Sequence, residues 1–272
     1  MNPKIQILCS LRLAPVQCHA VGHPVTTGFK NIDFALSPGL MEPKNAQKYY
    51  SEKLVLLPNT GICYEEPRID QVVLPKQIKN FQKISFLNLQ SLYKLLPQDD
   101  HIYVDIAKKF NNCQFWFLEK EDKNITNIFK KRLSNSFKEE NLSFNKFFIF
   151  FPKLTRDEFV GLIKQADIIL DSINWSGHNT SHEAFNLNKP IVTLPSSLMR
   201  GRHTYCFQKI LETNDTIASS KIEYVKIAVK LASDINFRNS IINKIKKNKH
   251  RLFNDEKPIR FLEVFFKKIM KK

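Results

Sequence analysis

The pattern of apolar and polar positions changes character at about residue 84. Beyond it, short apolar runs alternate with stretches in which apolar residues recur every three or four positions. Such runs are typical of buried strands, and the periodic stretches are typical of amphipathic helices. The predicted strands are 84–89, 114–118, 146–151, 167–171 and 190–195, and the predicted helices are 102–110, 124–138 and 156–165. Because the strands are apolar throughout and alternate with helices, we predict a doubly wound parallel sheet covered on both faces, an α/β fold.

The part of the chain before residue 84 has a different organisation. Residues 1–67 predict short strands and loops, with a glycine-bounded turn at 22–28. Residues 68–83 combine proline with scattered lysine and glutamine, which is typical of a linker. We therefore divide the chain into a partial first domain at 1–67, a linker at 68–83, and an α/β domain with terminal helices at 84–272.

The last predicted helix, 258–272, is amphipathic and basic. Phe261, Phe265, Phe266 and Ile269 recur at helical spacing and leave most of the lysines on the other face. A helix of this kind suits either a membrane surface or the body of the protein, and both alternatives are open at this point.

Composition limits the function classes. The chain has 272 residues, of which 43% are hydrophobic and 25% are charged, so a folded protein is predicted. Its 42 Lys plus Arg against 26 Asp plus Glu give a net charge of +16, which suits anionic partners. General enrichment in Lys, Asn, Ile and Phe explains the same charge without a designed patch. Basic residues are not interleaved with aromatic ones and no base-reading motif occurs, so we predict no nucleic-acid partner.

Cysteine usage and hydropathy predict the compartment. The five cysteines are odd in number and never occur at C-x-x-C spacing, which argues against a disulfide framework and a zinc knuckle. No apolar run is long enough to predict a transmembrane segment, and the first ten residues do not resemble a signal peptide. We therefore predict a cytoplasmic protein.

The loop after the predicted strand 167–171 is the best candidate for a binding site. Ligands of open parallel sheets bind beyond the carboxyl ends of the strands, and a helix N-terminus attracts anions. Here Gly177 allows close approach of the backbone, and Thr180 and Glu183 have capping-box spacing at the start of a helix. The same residues could instead only turn the chain and cap the helix. His178 and His182 stand four apart, but no third ligand is indicated, so we predict no metal.

Several segments, in order along the chain, resemble one family. In the α/β domain these segments are strand 167–171, the loop and helix start 176–184, and strand 189–195. Upstream of them, in the same order as in the family, come residues 13–17, 22–28, 50–54 and 86–94. These segments resemble the catalytic region of O-linked N-acetylglucosamine transferases and their SPINDLY-like relatives. Residues 199–204 resemble the bacterial branch.

The resemblance implies a GT-B fold, in which two Rossmann-like lobes hold a nucleotide-sugar in the cleft between them. It also implies that the last helix packs across the lobes. The donor, expected to be a UDP-sugar, would be held by Lys94 and the helix start at the diphosphate, by Glu183 at the ribose and by Arg156 near the base. The residues that the resemblance places at the donor are Lys94, Arg156, Gly177, His178, Asn179, Thr180 and Glu183. Those that it places in the cleft loop of the first lobe are Gly22, His23, Pro24, Thr26, Thr27 and Gly28.

The chain also departs from the family pattern. Ser91 replaces a glutamine of the animal enzymes, Phe159 replaces a histidine near the base, and Asn179 replaces a threonine. Most of the first lobe is missing, so we name no catalytic residue. We expect a metal-independent, inverting glycosyltransferase without a cofactor, acting on a protein side chain and truncated or completed by a separate chain. The alternative is a non-catalytic remnant that binds a nucleotide or a partner.

Overall fold

The computed structural model describes residues 3–20, 22–69, 71–78 and 82–270 and contains, within them, two parallel sheets. The first sheet has the order β1-β2-β3 and the second the order β6-β5-β4-β7-β8. The strands are β1 Cys18–His19, β2 Phe34–Pro38, β3 Lys53–Leu57, β4 Ile84–Asn88, β5 Cys113–Leu118, β6 Phe148–Phe151, β7 Ile168–Leu170 and β8 Ile191–Val192. The helices are α1 Pro3–Ser10, α2 His101–Lys109, α3 Lys123–Glu139, α4 Phe144–Phe147, α5 Arg156–Gln165, α6 Asn179–Asn186, α7 His203–Leu211, α8 Lys221–Ser233, α9 Ile235–Asn248 and α10 Lys257–Met270.

The second sheet is doubly wound, which confirms the predicted fold class. Strands β4, β5 and β6 follow one another in one direction, and β7 and β8 continue on the other side of β4. The strand order therefore reverses between β4 and β7, which pair in register through Phe86 with Ile168 and Leu87 with Ile169. Ligands of such sheets bind at this switch point, outside the carboxyl ends of the strands. The segments that follow Asn88 and Leu170 are thus the expected walls of a site.

Aromatic side chains fill the core beneath that edge. Phe86 and Phe115 stack with ring centroids 5.6 Å apart, and the Tyr103 ring meets the edges of Phe115 and Phe117 at 5.4 Å each. All four side chains are buried. Packing of this density fixes the relative positions of the strands, and so of the loops that leave them.

Most predicted elements are present, and the capping box of Thr155 and Glu158 forms at the start of α5. The predicted strand 146–151 is wrong in its first part, because Phe144–Phe147 forms the short helix α4 and only Phe148–Phe151 is a strand. A continuous apolar run does not distinguish a buried helical turn from a strand. The predicted strand 190–195 shrinks to Ile191–Val192. Pro190 cannot donate a ladder hydrogen bond, and Thr193 pairs instead with residues 216–218, donating its amide to the Thr216 carbonyl at 3.1 Å.

The first sheet comes from the part predicted as strands and loops. Its strands are all parallel, with Phe34 opposite Cys18 and Lys53. Helix α1 was not predicted, and it leaves Ile5 and Ile7 more than half exposed, at 51% and 64%. An apolar helix without a buried face gives no periodic signal in the sequence.

The segment predicted as a linker crosses α5. The Val73 amide donates to the Asp157 carbonyl at 3.3 Å, and Ile78 is buried. A Cβ atom on Gly161 would lie 2.0 Å from the Val73 carbonyl oxygen, so this crossing requires glycine in the helix. The boundaries 1–67, 68–83 and 84–272 themselves stay a prediction.

Helix α10 packs on the first sheet. The Phe265 ring meets the edge of Phe34 with centroids 5.2 Å apart, and Ile269 is partly buried. Phe261 and Phe266, which the periodicity placed on the packed face, are 39% and 42% exposed. The helix thus follows the packing alternative, with a narrower contact face than predicted. In the described part of the chain, no helix combines the length and the apolar character that crossing a membrane would require.

Candidate functional site

A buried carboxylate organises the loop after β7. Asp171 Oδ1 accepts from the Gly177 amide at 2.8 Å, and Oδ2 accepts from the hydroxyls of Ser176 at 2.6 Å and Thr193 at 2.7 Å. Burial raises the pKa of Asp171, and these donors oppose that rise by stabilising the ionised form. The carboxylate therefore folds residues 172–178 back onto the end of the sheet.

Gly177 lies where the loop approaches the neighbouring strand. A Cβ atom at this position would meet Ser181 Oγ at 2.5 Å, and Gln90 Nε2 and Thr180 Oγ1 at 2.9 Å each. Without a side chain, Gly177 allows the Gln90 amide to donate to the Thr180 hydroxyl at 2.7 Å. Close approach is thus what this glycine provides.

The predicted capping box at Thr180 and Glu183 is wrong. Helix α6 begins at Asn179, and His178 precedes it without a side-chain cap hydrogen bond. Thr180 lies inside the first turn, and the Glu183 carboxylate forms an ion pair with Arg156, with Nη1 2.6 Å from Oε2. Because the helix begins at Asn179, Glu183 is its fifth residue and comes too late in the helix to reach back to the cap.

Lys94 follows β4 and points toward the same helix start. Its Nζ donates to Gln90 Oε1 at 3.1 Å and lies 5.2 Å from the centroid of the Trp175 ring. Burial lowers the pKa of Lys94. Among the described residues no carboxylate forms an ion pair with it, so its direct contacts are with neutral groups, and Asp171 acts on it only at longer range.

These groups share a cavity of about 550 Å³ between the two sheets. Of the residues described along its wall, none is acidic. The wall contains Lys94, Trp175, His178, Asn179, Thr180 and His203 from the second sheet, and Gly22, His23, Pro24, Ile62 and Tyr64 from the first part of the chain. A cation and the N-terminus of α6 facing an uncharged wall suit an anion.

A second cavity, of about 570 Å³, adjoins the first. It lies beyond the carboxyl ends of β4, β5 and β6, and Gln90 lines both cavities. Tyr93, Phe159 and Arg156 contribute to its wall. Gln90 thus joins a cavity with a cationic wall to one whose wall includes aromatic side chains.

Only half of the predicted cleft loop reaches the cavity. Gly22, His23 and Pro24 line it, as stated above, whereas Thr26 and Thr27 turn inward to Glu52, and Gly28 takes a left-handed φ of 72°. Glu52 accepts from the Thr26 hydroxyl and the Thr27 amide at 2.7 Å each, and from the Thr27 hydroxyl. Burial by itself would raise the pKa of Glu52, but these hydrogen bonds outweigh it and hold the pKa at about 2. Glu52 thus anchors the loop.

The predicted donor residues therefore fall into three groups. Lys94, His178, Asn179 and Thr180 meet in one cavity, Gly177 lies behind them, and Arg156 lines the adjoining cavity while paired with Glu183. Their roles stay predictions. Sequence reasoning missed further wall residues, namely Tyr64, Gln90, Trp175 and His203. For Gln90 a signal existed, because it directly precedes Ser91, which replaces a family glutamine.

Two histidines are buried at the cavity, His203 in its wall and His182 behind it, and neither forms an ion pair with a described residue. Neither ring nitrogen of His182 has a hydrogen-bond partner among the described residues, and the centroid of its ring lies 4.2 Å from that of Tyr64 and 4.3 Å from that of Phe207. Burial lowers the pKa of His182 and of His203 to about 3. Within the described residues no group of three His, Cys, Asp or Glu side chains is arranged to hold a metal, and the absence of a metal stays a prediction.

These histidines predict loss of stability in acid. Their folded pKa of about 3 lies below an unfolded value of about 6.5, so the unfolded chain binds protons first as the pH falls. Stability is complete above about pH 6.5 and declines below it, by about 2 kcal/mol per histidine at pH 5. Urea titrations at pH 7 and pH 5 measure this decline. His182→Phe should reduce it, and an unchanged decline in that variant would contradict the assignment.

Most of the chain matches one known protein family. The family model described as "Glycosyl transferase family 41" matches residues 70–259, which is most of the chain. The chain belongs to glycosyl transferase family 41. The resemblance to O-linked N-acetylglucosamine transferases and SPINDLY-like proteins, which the motifs predicted, is thereby confirmed.

Several plant proteins are similar to this chain over much of its length. "Probable UDP-N-acetylglucosamine--peptide N-acetylglucosaminyltransferase SPINDLY" of Solanum lycopersicum is 25% identical over 224 residues, 82% of this chain and 24% of its own length. The protein SEC of Arabidopsis thaliana, with the same description, is 26% identical over 233 residues, 82% of this chain and 23% of its own. The family 41 chain thus spans about a quarter of the length of these relatives.

Solved structures give the fold. A Thermobaculum terrenum O-GlcNAc transferase mutant matches with a TM-score of 0.80 and 20% identity, covering 94% of this chain and 48% of the other. Sucrose-phosphate synthase from Thermosynechococcus elongatus matches with a TM-score of 0.62 and 12% identity, covering 89% of this chain and 60% of the other. The family 41 chain has the GT-B type of α/β fold, as predicted.

Proposed function

We propose that this chain binds a nucleotide-sugar and forms the donor half of a glycosyltransferase that modifies a protein side chain. The observation that carries the proposal is Lys94, a half-buried cation with neutral partners, facing the N-terminus of α6. Burying a charge without a counter-charge costs stability, so such a group is expected where an anionic ligand supplies the partner. Membership of family 41 identifies a nucleotide diphosphate as the anion to test.

The two cavities suggest how the donor lies. The diphosphate would contact Lys94 and the first turn of α6, and the base would enter the adjoining cavity beside Phe159. Glu183 lies one turn into α6 and would accept from the ribose hydroxyls. The transferred sugar would then project toward the loop containing His23 and Pro24.

The proposed reaction is a direct displacement. An oxygen or nitrogen atom of the acceptor side chain attacks the anomeric carbon as the bond from that carbon to the diphosphate oxygen breaks. The leaving diphosphate gains negative charge, which Lys94 and the N–H groups at the start of α6 are placed to stabilise. The proposal includes no metal ion or cofactor, because the lysine and the helix terminus would supply the stabilisation. The acceptor proton goes to a base that we do not identify.

The proposal includes a second polypeptide, or a further part of this one, that completes the first lobe. Parallel sheets are normally covered on both faces, yet helix α1 beside the first sheet leaves Ile5, Ile7 and Leu8 exposed. Exposed apolar surface of this kind is typical of an interface.

The five cysteines form no disulfide, which supports the expected cytoplasmic setting.

A ligand panel tests the proposal on the chain as it exists. UDP, UDP-N-acetylglucosamine, GDP and GDP-mannose are added to the protein, and the melting temperature is recorded. A ligand at about 100 times its dissociation constant should stabilise the fold by about 2.7 kcal/mol. Stabilisation by one nucleotide and its sugar derivative supports the proposal. If the protein binds a nucleotide-sugar but releases no UDP or GDP from it when acceptor peptides are present, the non-catalytic alternative is favoured.

Glu183→Gln should weaken nucleotide binding with little effect on the fold. The carboxylate is paired with Arg156 at the surface, where Arg156 is 51% exposed, and pairs of this kind contribute about 0–1 kcal/mol. Loss of a charge-assisted hydrogen bond to the ribose should reduce UDP affinity by about 1–2 kcal/mol. Calorimetric titration and thermal melting measure the two effects.

The matched control is Glu140→Gln, which removes a comparable surface ion pair with Lys108. Neither Glu140 nor Lys108 lines either cavity. This variant should bind UDP like the wild type. Equal UDP affinity in the Glu183 and Glu140 variants would contradict the ribose role of Glu183.

A further inference from the structure

His203 has one hydrogen bond, and its direction fixes the state of the ring. Nδ1 lies 3.2 Å from the Ser176 carbonyl oxygen, and the described residues provide no other hydrogen-bond partner for this histidine. A carbonyl oxygen only accepts, so Nδ1 carries the proton and Nε2 keeps its lone pair. Burial lowers the pKa of His203 to about 3, so the ring is neutral at pH 7 and Nε2 is an acceptor.

The orientation of this ring depends on the Asp171 loop. Ser176, whose carbonyl receives the Nδ1 proton, donates its hydroxyl to Asp171 at 2.6 Å and its amide to the Arg200 carbonyl at 2.9 Å. The His178 ring meets the edge of His203 with centroids 4.8 Å apart. His203 is only 4% exposed but belongs to the wall of the anion cavity. The acceptor atom is therefore held in a fixed place.

The position of His203 in the cavity indicates which part of a ligand it meets. Gln90 and Arg156 mark the side toward the adjoining cavity, where the base would lie. Lys94 and Thr180 mark the place of the diphosphate. His203 lines the anion cavity and not the adjoining one, and its ring lies 4.8 Å from that of His178. It is therefore away from the base and beside the diphosphate, which carries the next group of the ligand. In a nucleotide-sugar that group carries several hydroxyls, each of which can donate a hydrogen bond.

We propose that His203 is a sugar-binding residue, whose Nε2 accepts a hydrogen bond from a hydroxyl of the transferred sugar and so positions the donor. The inference rests on the proposed function, because it requires a nucleotide-sugar in the cavity. It adds a residue that makes the cavity bind a nucleotide-sugar more tightly than the bare nucleotide. A purely structural role, limited to the bond with Ser176, is the alternative that the experiment must separate.

Two substitutions at His203 test the roles of the two ring nitrogens separately. His203→Asn places an amide N–H where Nδ1 donates to Ser176 and removes the acceptor at Nε2. His203→Gln retains a polar atom near the position of Nε2. Calorimetry measures the dissociation constants of UDP, UDP-glucose and UDP-N-acetylglucosamine. GDP and GDP-mannose provide the same comparison, of a nucleotide with its sugar derivative, for the other base. Circular dichroism and melting temperature record whether each variant is folded.

We expect His203→Asn to bind the bare nucleotide within about twofold of the wild type. Its affinity for the matching nucleotide-sugar should fall by about three- to tenfold, which corresponds to one neutral hydrogen bond. His203→Gln should recover part of that loss. The ratio of the two dissociation constants is the decisive quantity, since a structural defect would change both constants together.

Several results would overturn the inference. One is an equal loss for nucleotide and nucleotide-sugar, and another is an unchanged ratio in a folded His203→Asn variant. Either would leave the nucleotide site and the proposed function intact. Failure of the wild-type chain to bind any of the nucleotides would instead contradict the proposed function, and the inference would fall with it.

Discussion

Asp171→Ala should both destabilise the fold and abolish nucleotide binding. The carboxylate accepts from Gly177, Ser176 and Thr193, and its removal leaves those buried donors without an acceptor. Loss of such a network should cost about 3 kcal/mol of unfolding free energy. Residues 172–178 would no longer be held at the sheet, so the first turn of α6 would lose its orientation toward Lys94. Denaturant titration and UDP calorimetry measure the two losses.

The other end of the same strand supplies a matched control. Asp167 precedes β7, and its Oδ2 accepts from the amide and the hydroxyl of Ser85 at 2.9 Å each. Asp167→Ala should therefore destabilise the protein by about 1–2 kcal/mol, yet leave UDP affinity within twofold of the wild type. The prediction for Asp171 fails if both variants lose affinity to the same extent, since the loss would then reflect stability alone.

The sheet could be predicted from the sequence because its strands are buried on both faces. Continuous apolar runs such as those around Phe86 and Phe115 mark parallel strands wherever they occur, and the pattern survives errors of one or two residues at each end. The loop after β7 could be predicted for the same reason, since ligands bind where parallel strands end. What the pattern leaves open is the strand order, which was not predicted and which the structure gives as β6-β5-β4-β7-β8.

The contacts that complete the site could not be predicted from spacing. Gln90 and Thr180 are 90 residues apart in sequence, and Tyr64 and His178 are 114 apart. No local periodicity relates such pairs. The capping-box prediction failed for a related reason, because the loop that leads into α6 is held by hydrogen bonds from Ser176 and Gly177 to Asp171, and the helix begins at Asn179. Local rules describe the ends of isolated helices, whereas this helix end is set by tertiary hydrogen bonds.

Lys94 is the residue at which stability and the proposed function oppose each other. The half-buried Lys94 ammonium group, which has no carboxylate in direct contact among the described residues, loses hydration. In return it donates one hydrogen bond to the uncharged Gln90 side chain and contacts the Trp175 ring. The free protein is therefore less stable than it would be with an apolar side chain at this position. Such costs are expected where a ligand supplies the missing charge.

Lys94→Met should accordingly weaken UDP binding by at least about tenfold without lowering the melting temperature. Methionine keeps the apolar stem against Trp175 and removes the charge, so charge-assisted hydrogen bonds of about 1.5–3 kcal/mol each are lost only when the diphosphate is bound. Uridine, which has no phosphate, should lose less than about twofold. Lys108→Met, which removes an exposed lysine paired with Glu140, is the control for lost positive charge. Calorimetry measures the affinity of both variants for both ligands. If Lys94→Met lost UDP and uridine affinity equally, or had a lower melting temperature, Lys94 would be shown to stabilise the fold and not to bind the ligand.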